Sequence, residues 1–144
     1  MPPMLRKGKM ETSKLYDMAE KGGVAVSFLP LCENAAFSVE LDGKSYIAIN
    51  KHLLGSASLE RVLLAHELGH LRTGSLCSVG SAPSHIEKTE KKADSWAICA
   101  LIPKEALVEA MERGDEDISS LADRFCVTEE FMAKALKYYS EKNM

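Results

Sequence analysis

The stretch LLAHELGHLRTG, residues 63–74, places two histidines four residues apart with a glutamate directly after the first. On a helix, side chains four positions apart lie one above the other, so His66 and His70 would point the same way, as two ligands of one tetrahedral zinc ion must. Glu67 would lie one residue round the helix, within reach of a water molecule at such a metal. This HExxH pattern also arises by chance, so its context has to be considered.

The residues around the motif favour a metal site over a buried helix that merely carries polar residues. Leu64, Leu68 and Leu71 form a second apolar face, which predicts a helix buried on most of its sides. Burying two histidines and a glutamate without partners would cost a few kcal/mol per group, and a metal ion would provide the partners. We therefore interpret the motif as part of a zinc site.

Such a site needs a third protein ligand. The position six residues after His70, where some zinc peptidases carry a third histidine, is Leu76. The remaining candidates downstream are Glu87, Glu90, Asp94, Cys77 and His85.

Glu90 and Asp94 are favoured because they stand four apart in EKTEKKADSWAICALIP, which predicts a helix near 86–101. The face that they share also carries residues that are small or apolar and suited to close packing, namely Ala93, Ala97 and Leu101. We expect Glu90 to bind the metal, and Asp94 to accept a hydrogen bond from the histidine nitrogen that does not bind it.

Gly69, inside the motif, indicates where these two helices meet. Glycine in a helix interior costs about 1 kcal/mol relative to alanine, so its presence suggests that another backbone passes close by. We infer that the Glu90 helix crosses the His66 helix at this point.

Upstream, VAVSFLP predicts a strand and AFSVELDGKSYIAIN predicts a hairpin. A three-residue loop over 41–43 would place Phe37 opposite Ile47 and gather the apolar side chains on one face. A two-residue Asp-Gly loop would put them on opposite faces, so burial favours the longer loop. The expected sheet is small and antiparallel, with about three strands.

The rest of the chain predicts helices. The first would be capped by Ser13 and end at Gly22, and the motif helix would be capped by Ser58 and end near Arg72. Further helices are expected near 104–113, 119–125 and 128–140. Without a repeat or linker, the 144 residues predict a single α+β domain, with the helical hairpin of about 115–140 as part of it.

Several classes of protein are disfavoured. No run of about 18 apolar residues and no signal-like segment is present, so we expect a cytoplasmic protein without a membrane span. The widely spaced cysteines, Cys32, Cys77, Cys99 and Cys126, predict reduced thiols.

The segment SLADRFCVTEEFMAKAL has the spacing of a helix-turn-helix unit, which could bind DNA. However, residues 115–144 contain seven acidic and four basic side chains, and the whole chain carries a net charge of −3. Repulsion from phosphates argues against direct nucleic-acid binding. We interpret the segment as a hairpin that closes the core, with a surface for docking a repressor as the alternative.

HELGHLRTG followed by EKKADSWAICALIPKEAL resembles the ImmA/IrrE family of zinc metallopeptidases, found as regulators in phages and mobile elements and as stress-response proteases. The resemblance extends from LYDMAEKGGVAV to LADRFCVTEEFMAKALKYY. It implies a zincin-like domain in which His66, His70 and Glu90 bind zinc and Glu67 is the catalytic acid/base. Asp94 stands where the family has Asn or Asp. The substrate class that the resemblance implies is a helix-turn-helix repressor.

The predicted reaction is zinc-dependent hydrolysis of peptide bonds in a cytosolic regulatory protein, with Glu67 carrying the proton from the attacking water to the leaving amine. An extended peptide could add to the strand at 46–49 if that strand lies at a sheet edge. Tyr46 and His85 are candidates for stabilising the oxyanion. The alternative is a zinc-containing regulatory module that binds its partner stoichiometrically without significant cleavage.

Overall fold

The computed structural model describes residues 10–31, 35–75, 82–115 and 117–142. These residues form α1 (Thr12–Lys21), β1 (Val24–Leu29), β2 (Ala36–Leu41), β3 (Lys44–Asn50), α2 (Ala57–Arg72), α3 (Pro83–Leu101), α4 (Lys104–Glu112), α5 (Ile118–Phe125) and α6 (Glu129–Lys142), with a 3-10 turn at Lys51–Leu53. The predicted α+β class, mainly helical with a small sheet, is confirmed. Within the described part of the chain, no helix is long and apolar enough to cross a membrane.

The sheet has three strands in the order β1-β3-β2. Strand β3 pairs antiparallel with β2 and parallel with β1, so the sheet is mixed and not antiparallel throughout. The prediction that the strand at 46–49 could lie at an edge is wrong, because the hairpin folds β3 back between β2 and β1. Its backbone groups are therefore already paired on both sides.

The predicted hairpin register is also wrong by one residue. Leu41 pairs with Lys44, which leaves only Asp42 and Gly43 in the loop. Both loop residues have positive φ, 52° and 77°, as a type I′ turn requires, and Asp-Gly is among the sequences that favour this turn. The turn chemistry overrides apolar patterning here, and Phe37 lies on the outer face with 38% of its surface exposed.

The inner face of the sheet lies against α2. Ile47 and Ile49 are fully buried on this face, and Ser38 is directly opposite Ile47 in the neighbouring strand. Because side chains alternate between the two faces of a strand, Ser38 points towards the helices and Tyr46 points away from them.

Helix α2 begins two residues before the predicted position. The Ser56 side chain, and not that of Ser58, accepts a hydrogen bond from the Leu59 backbone amide. Similarly, α1 has Glu11 at its N-cap position in place of Ser13, without a side-chain cap, and it ends at Gly22 as predicted. Helix α3 begins at Pro83, a residue that suits the first turn of a helix because it lacks an amide proton.

Helices α2 and α3 cross where the sequence predicts. A Cβ atom built on Gly69 would lie 2.6 Å from the backbone oxygen of Ala93, a distance that no real Cβ tolerates. The inference that Gly69 permits the close passage of the Glu90 helix is confirmed. The small and apolar residues predicted on the facing side of α3 are all fully buried, namely Ala93, Ala97 and Leu101.

The C-terminal helices pack onto this helical pair. Val127, Phe131 and Met132 are buried in the same apolar cluster as the core residues of α2 and α3. The Tyr139 hydroxyl donates a hydrogen bond of 2.7 Å to the backbone oxygen of Ile102, at the end of α3. Cys99 and Cys126 are free thiols at the surface, whereas Cys32 and Cys77 lie outside the described residues.

Candidate metal centre

The crossing of α2 and α3 brings His66, His70 and Glu90 together. The Nε2 atom of His66 lies 3.0 Å from Oε1 of Glu90, and the Nε2 atom of His70 lies 2.9 Å from Oε2 of the same carboxylate. In the described ranges of the chain, these side chains form the one group of three whose ligand atoms converge, all within 4.8 Å of one another. They come from two helices that meet at Gly69.

The other ring nitrogens of the two histidines are occupied by acceptors. His66 Nδ1 lies 2.8 Å from Oδ1 of Asp94, and His70 Nδ1 lies 2.7 Å from the backbone oxygen of Ser75. A carboxylate and a carbonyl can only accept, so each Nδ1 carries a hydrogen. When a ring is neutral, the lone pair of its Nε2 is then directed at Glu90. This arrangement is typical of metal-binding histidines, which donate their second N–H to a carboxylate or a backbone carbonyl.

The convergence of these groups fits a divalent cation. Two imidazole lone pairs that face a carboxylate at about 3 Å repel it unless protons or a cation lie between them. Two histidine nitrogens and one carboxylate oxygen form a ligand set that zinc adopts at catalytic sites, where one position stays open. The Glu90 side chain is 50% exposed, so the centre is accessible from solvent.

A turn at the end of α2 places the acceptor for His70. The Ser75 amide donates to the His70 backbone oxygen at 2.8 Å and the Gly74 amide donates to that of Leu71 at 3.4 Å. Gly74 has a φ of +65°, and these two bonds together form a Schellman motif. The motif turns the chain back over the last turn of the helix, so that the Ser75 carbonyl meets His70 Nδ1.

Glu67 lies between the metal centre and the sheet, with only 6% of its surface exposed. Burial raises the pKa of its carboxyl group, against the opposing effects of a hydrogen bond from the Ser38 hydroxyl and the nearby imidazoles of His66 and His70. Sequence reasoning missed Ser38, because the predicted hairpin register placed it on the face away from the helices.

Asp94 connects His66 to a third helix. Burial alone would lower the pKa of His66, but the hydrogen bond to Asp94 and the surrounding carboxylates raise it above its ordinary value. The pKa of Asp94 is lowered in spite of its burial, because His66 and Lys134 stabilise the charged carboxylate. The ammonium nitrogen of Lys134, in α6, lies 3.5 Å from Oδ2 of Asp94.

The other candidates from the sequence do not join the cluster. Glu87 and His85 are exposed in the first half of α3, outside the converging group. Tyr46 points to the face of the sheet away from α2, which does not suit the proposed oxyanion contact. Cys77 lies outside the described residues.

A small sheet on a helical domain, with an HExxH helix crossed by a second helix that carries a glutamate, defines a metallopeptidase-type domain of zincin-like architecture. The model of the Peptidase_M78 family, described as the IrrE N-terminal-like domain, matches residues 19–137. The chain belongs to this family, which confirms the resemblance to ImmA/IrrE proteins. The comparison with curated proteins gave no match.

Proposed function

We propose that this protein is a zinc-dependent endopeptidase in which His66, His70 and Glu90 hold the ion. The observation that carries the proposal is the geometry of the two histidines. Both Nδ1 atoms are engaged by acceptors, and both Nε2 atoms face one carboxylate at about 3 Å. The family of the chain supports a peptidase that binds a metal.

In this proposal Glu67 is the catalytic acid and base. A bound zinc ion would activate water and polarise the carbonyl of the scissile peptide bond. Glu67 would accept the proton from the attacking water and deliver it to the leaving amine. Burial raises the pKa of this carboxyl group, which favours its holding the proton during the transfer. The Ser38 hydroxyl would fix the orientation of the carboxylate from the side of the sheet.

The path of the substrate is proposed along β2 and not along the central strand. Strand β2 has β3 on one side only among the described residues, so its other side offers backbone groups to an extended peptide. Ser38 of β2 also contacts Glu67, which brings this strand next to the proposed acid/base. A peptide added to β2 would therefore lie close to the metal centre.

The substrate that we propose is a helix-turn-helix repressor in the cytoplasm, in the setting of a phage or mobile element. The support is the resemblance to ImmA/IrrE proteins carried by HELGHLRTG and EKKADSWAICALIPKEAL. The acidic C-terminal segment supports a protein partner and argues against direct contact with DNA.

The test is a comparison of new protein N-termini in host cells that express the wild type or Glu67→Gln at equal abundance. Glutamine retains the shape of the side chain but cannot carry the proton. We expect a small set of termini that appear only with the wild type and identify the substrate. If zinc is bound and no such termini arise at rest or under stress, the endopeptidase proposal is wrong and the stoichiometric binding module takes its place.

A further inference from the structure

The C-terminal helix contacts Asp94, beside the candidate metal centre, through the Lys134 side chain. Lys134 of α6 lies 3.5 Å from Oδ2 of Asp94, while Oδ1 of the same carboxylate lies 2.8 Å from Nδ1 of His66. One carboxylate is thus shared between a lysine of α6 and a histidine of α2. Neither the HExxH motif nor the predicted position of Asp94 indicated this contact.

Helix α6 is held in the position that this contact needs. It lies alongside the second half of α3, with Lys134 near Asp94 and the Tyr139 hydroxyl bonded to Ile102 at 2.7 Å. Between these two points, the Tyr138 hydroxyl lies 3.8 Å from the Cys99 sulfur. On its inner side α6 buries apolar residues, among them Phe131, Met132 and Ala135. The place of Lys134 relative to Asp94 is therefore set by helix packing.

We propose that Lys134 is a positioning residue of the metal centre, which holds the Asp94 carboxylate in the orientation that accepts the His66 Nδ1 proton. A carboxylate with a single partner can rotate about its Cβ–Cγ bond, and a second contact on its other oxygen restricts that rotation. Restricting Asp94 keeps the His66 ring aimed so that Nε2 faces Glu90. The proposal rests on the metal-binding function proposed above.

The solvent exposure of Lys134 and Asp94 determines how large a change in zinc affinity is expected. The Lys134 side chain is 53% exposed and that of Asp94 is 24% exposed, so solvent weakens their attraction. Breaking an ion pair that is this exposed changes an equilibrium constant by roughly two- to fivefold. Loss of the carboxylate itself should weaken metal binding by roughly 10- to 100-fold, as for other groups that orient ligands. The two effects are far enough apart to be separated.

The test is zinc affinity of the full chain, measured by competition with a chromogenic chelator at neutral pH. Lys134→Met should weaken zinc binding by roughly two- to fivefold, and Lys134→Arg should restore most of the affinity. The matched control is Lys137→Met, which removes the same charge from an exposed position one turn further along α6. Its zinc affinity should equal that of the wild type.

A double-mutant cycle shows whether Lys134 acts through Asp94. In an Asp94→Asn background, the additional change Lys134→Met should have no effect on zinc affinity, because the charged oxygen that Lys134 contacts is absent. A loss of the same size in both backgrounds would overturn the proposal, because Lys134 would then act independently of the Asp94 carboxylate. Equal affinity of Lys134→Met and the wild type would overturn it as well.

Two further results separate the failure of this inference from other causes. A wild type that binds no zinc would refute the metal-binding function itself, whereas a zinc-binding wild type with an unaffected Lys134→Met refutes only the inference. Should Lys134→Met fail to fold, Lys134→Gln takes its place, since it is also neutral but retains a polar end. The same expected loss and the same criteria apply to it.

Discussion

The two histidines of the centre are oriented in different ways. His70 donates its Nδ1 proton to a backbone carbonyl five residues further along its own chain segment, at 2.7 Å. His66 donates to the side chain of Asp94 on a neighbouring helix, and Asp94 is contacted in turn by Lys134 on a third. One orientation is thus local in sequence, and the other depends on tertiary packing.

This difference predicts which changes damage each side of the site. The turn that orients His70 depends only on the C-terminal end of α2, because its hydrogen bonds join residues that are close together in sequence. The orientation of His66 requires α2 and α3 to approach as closely as Gly69 allows. Disturbing the helix crossing should therefore affect His66 and Glu90 together, whereas disturbing the turn should affect His70 alone.

The largest effect is expected for Gly69→Ala. The added Cβ would lie 2.6 Å from the Ala93 oxygen, so the helices must separate. Overpacking of this kind costs about 1–3 kcal/mol, and it moves Glu90 and Asp94 away from both histidines. We expect a lower Tm and loss of bound zinc, measured by thermal unfolding and metal analysis.

Gly55→Ala is the matched control, because a Cβ at this position meets no atom within 4 Å. It should retain its zinc and unfold close to the wild-type temperature. If Gly69→Ala behaved in the same way, the tight crossing would not be needed for the centre.

The second-largest effect is expected when the metal is removed. Zinc that binds only the folded chain stabilises it by about 2.7 kcal/mol when free zinc is 100 times the Kd. Chelation should therefore lower the Tm of the wild type. In Glu90→Ala, the difference in Tm between the zinc-loaded and the chelator-treated protein should nearly vanish, since the carboxylate that joins the two helices is absent. A zinc-dependent shift in Tm of the same size in Glu90→Ala would show that a residue other than Glu90 is the third ligand.

Asp94→Ala should act on the His66 side only. We expect zinc affinity to fall by roughly 10- to 100-fold, because the ring of His66 loses the acceptor that fixes its orientation. Chelator competition measures the affinity, and Asp123→Ala, at an exposed position of α5, is the control. Wild-type affinity in Asp94→Ala would show that His66 does not depend on the neighbouring helix.

The smallest effect is expected for Gly74→Ala. Its φ of +65° is strained for a residue with a Cβ, at a cost of about 1 kcal/mol. The turn would loosen and the Ser75 carbonyl would move relative to His70, so that Tm and zinc affinity should both fall slightly. Gly74→Asn should recover part of the loss, because asparagine adopts this conformation more readily. Equal behaviour of the two variants would argue against backbone strain as the cause.

The sequence predicted those parts of the molecule that depend on helical periodicity and on the energetic cost of a single residue within a helix. His66 and His70 at helical spacing, Glu90 and Asp94 on one face, and the unfavourable glycine at position 69 together pointed to two crossing helices. Each of these features is a property of one helix, which its own residues specify. The crossing followed because a helix interior rarely contains glycine without a reason.

The parts that were missed depend on backbone geometry or on contacts distant in sequence. The hairpin register was decided by the Asp42–Gly43 turn, whose preference for positive φ outweighed the burial of Phe37. That error hid Ser38, since a shift of one residue moves a side chain to the other face. The contact of Lys134 with Asp94 joins positions 40 residues apart, and no local pattern predicts it.

The acceptor for His70 belongs to the peptide backbone, and this determines how the site would respond to mutational scanning. Every substitution at Ser75 other than one that distorts the turn leaves its carbonyl oxygen in place. A scan by alanine would therefore test only the Ser75 hydroxyl, which is hydrogen-bonded to that of Thr73, and would not detect that the backbone oxygen of Ser75 orients a proposed metal ligand. The peptide bond between residues 75 and 76 can be replaced by an ester, which weakens the Ser75 carbonyl as an acceptor while leaving every side chain unchanged. A fall in zinc affinity after this replacement would show that His70 depends on the backbone oxygen.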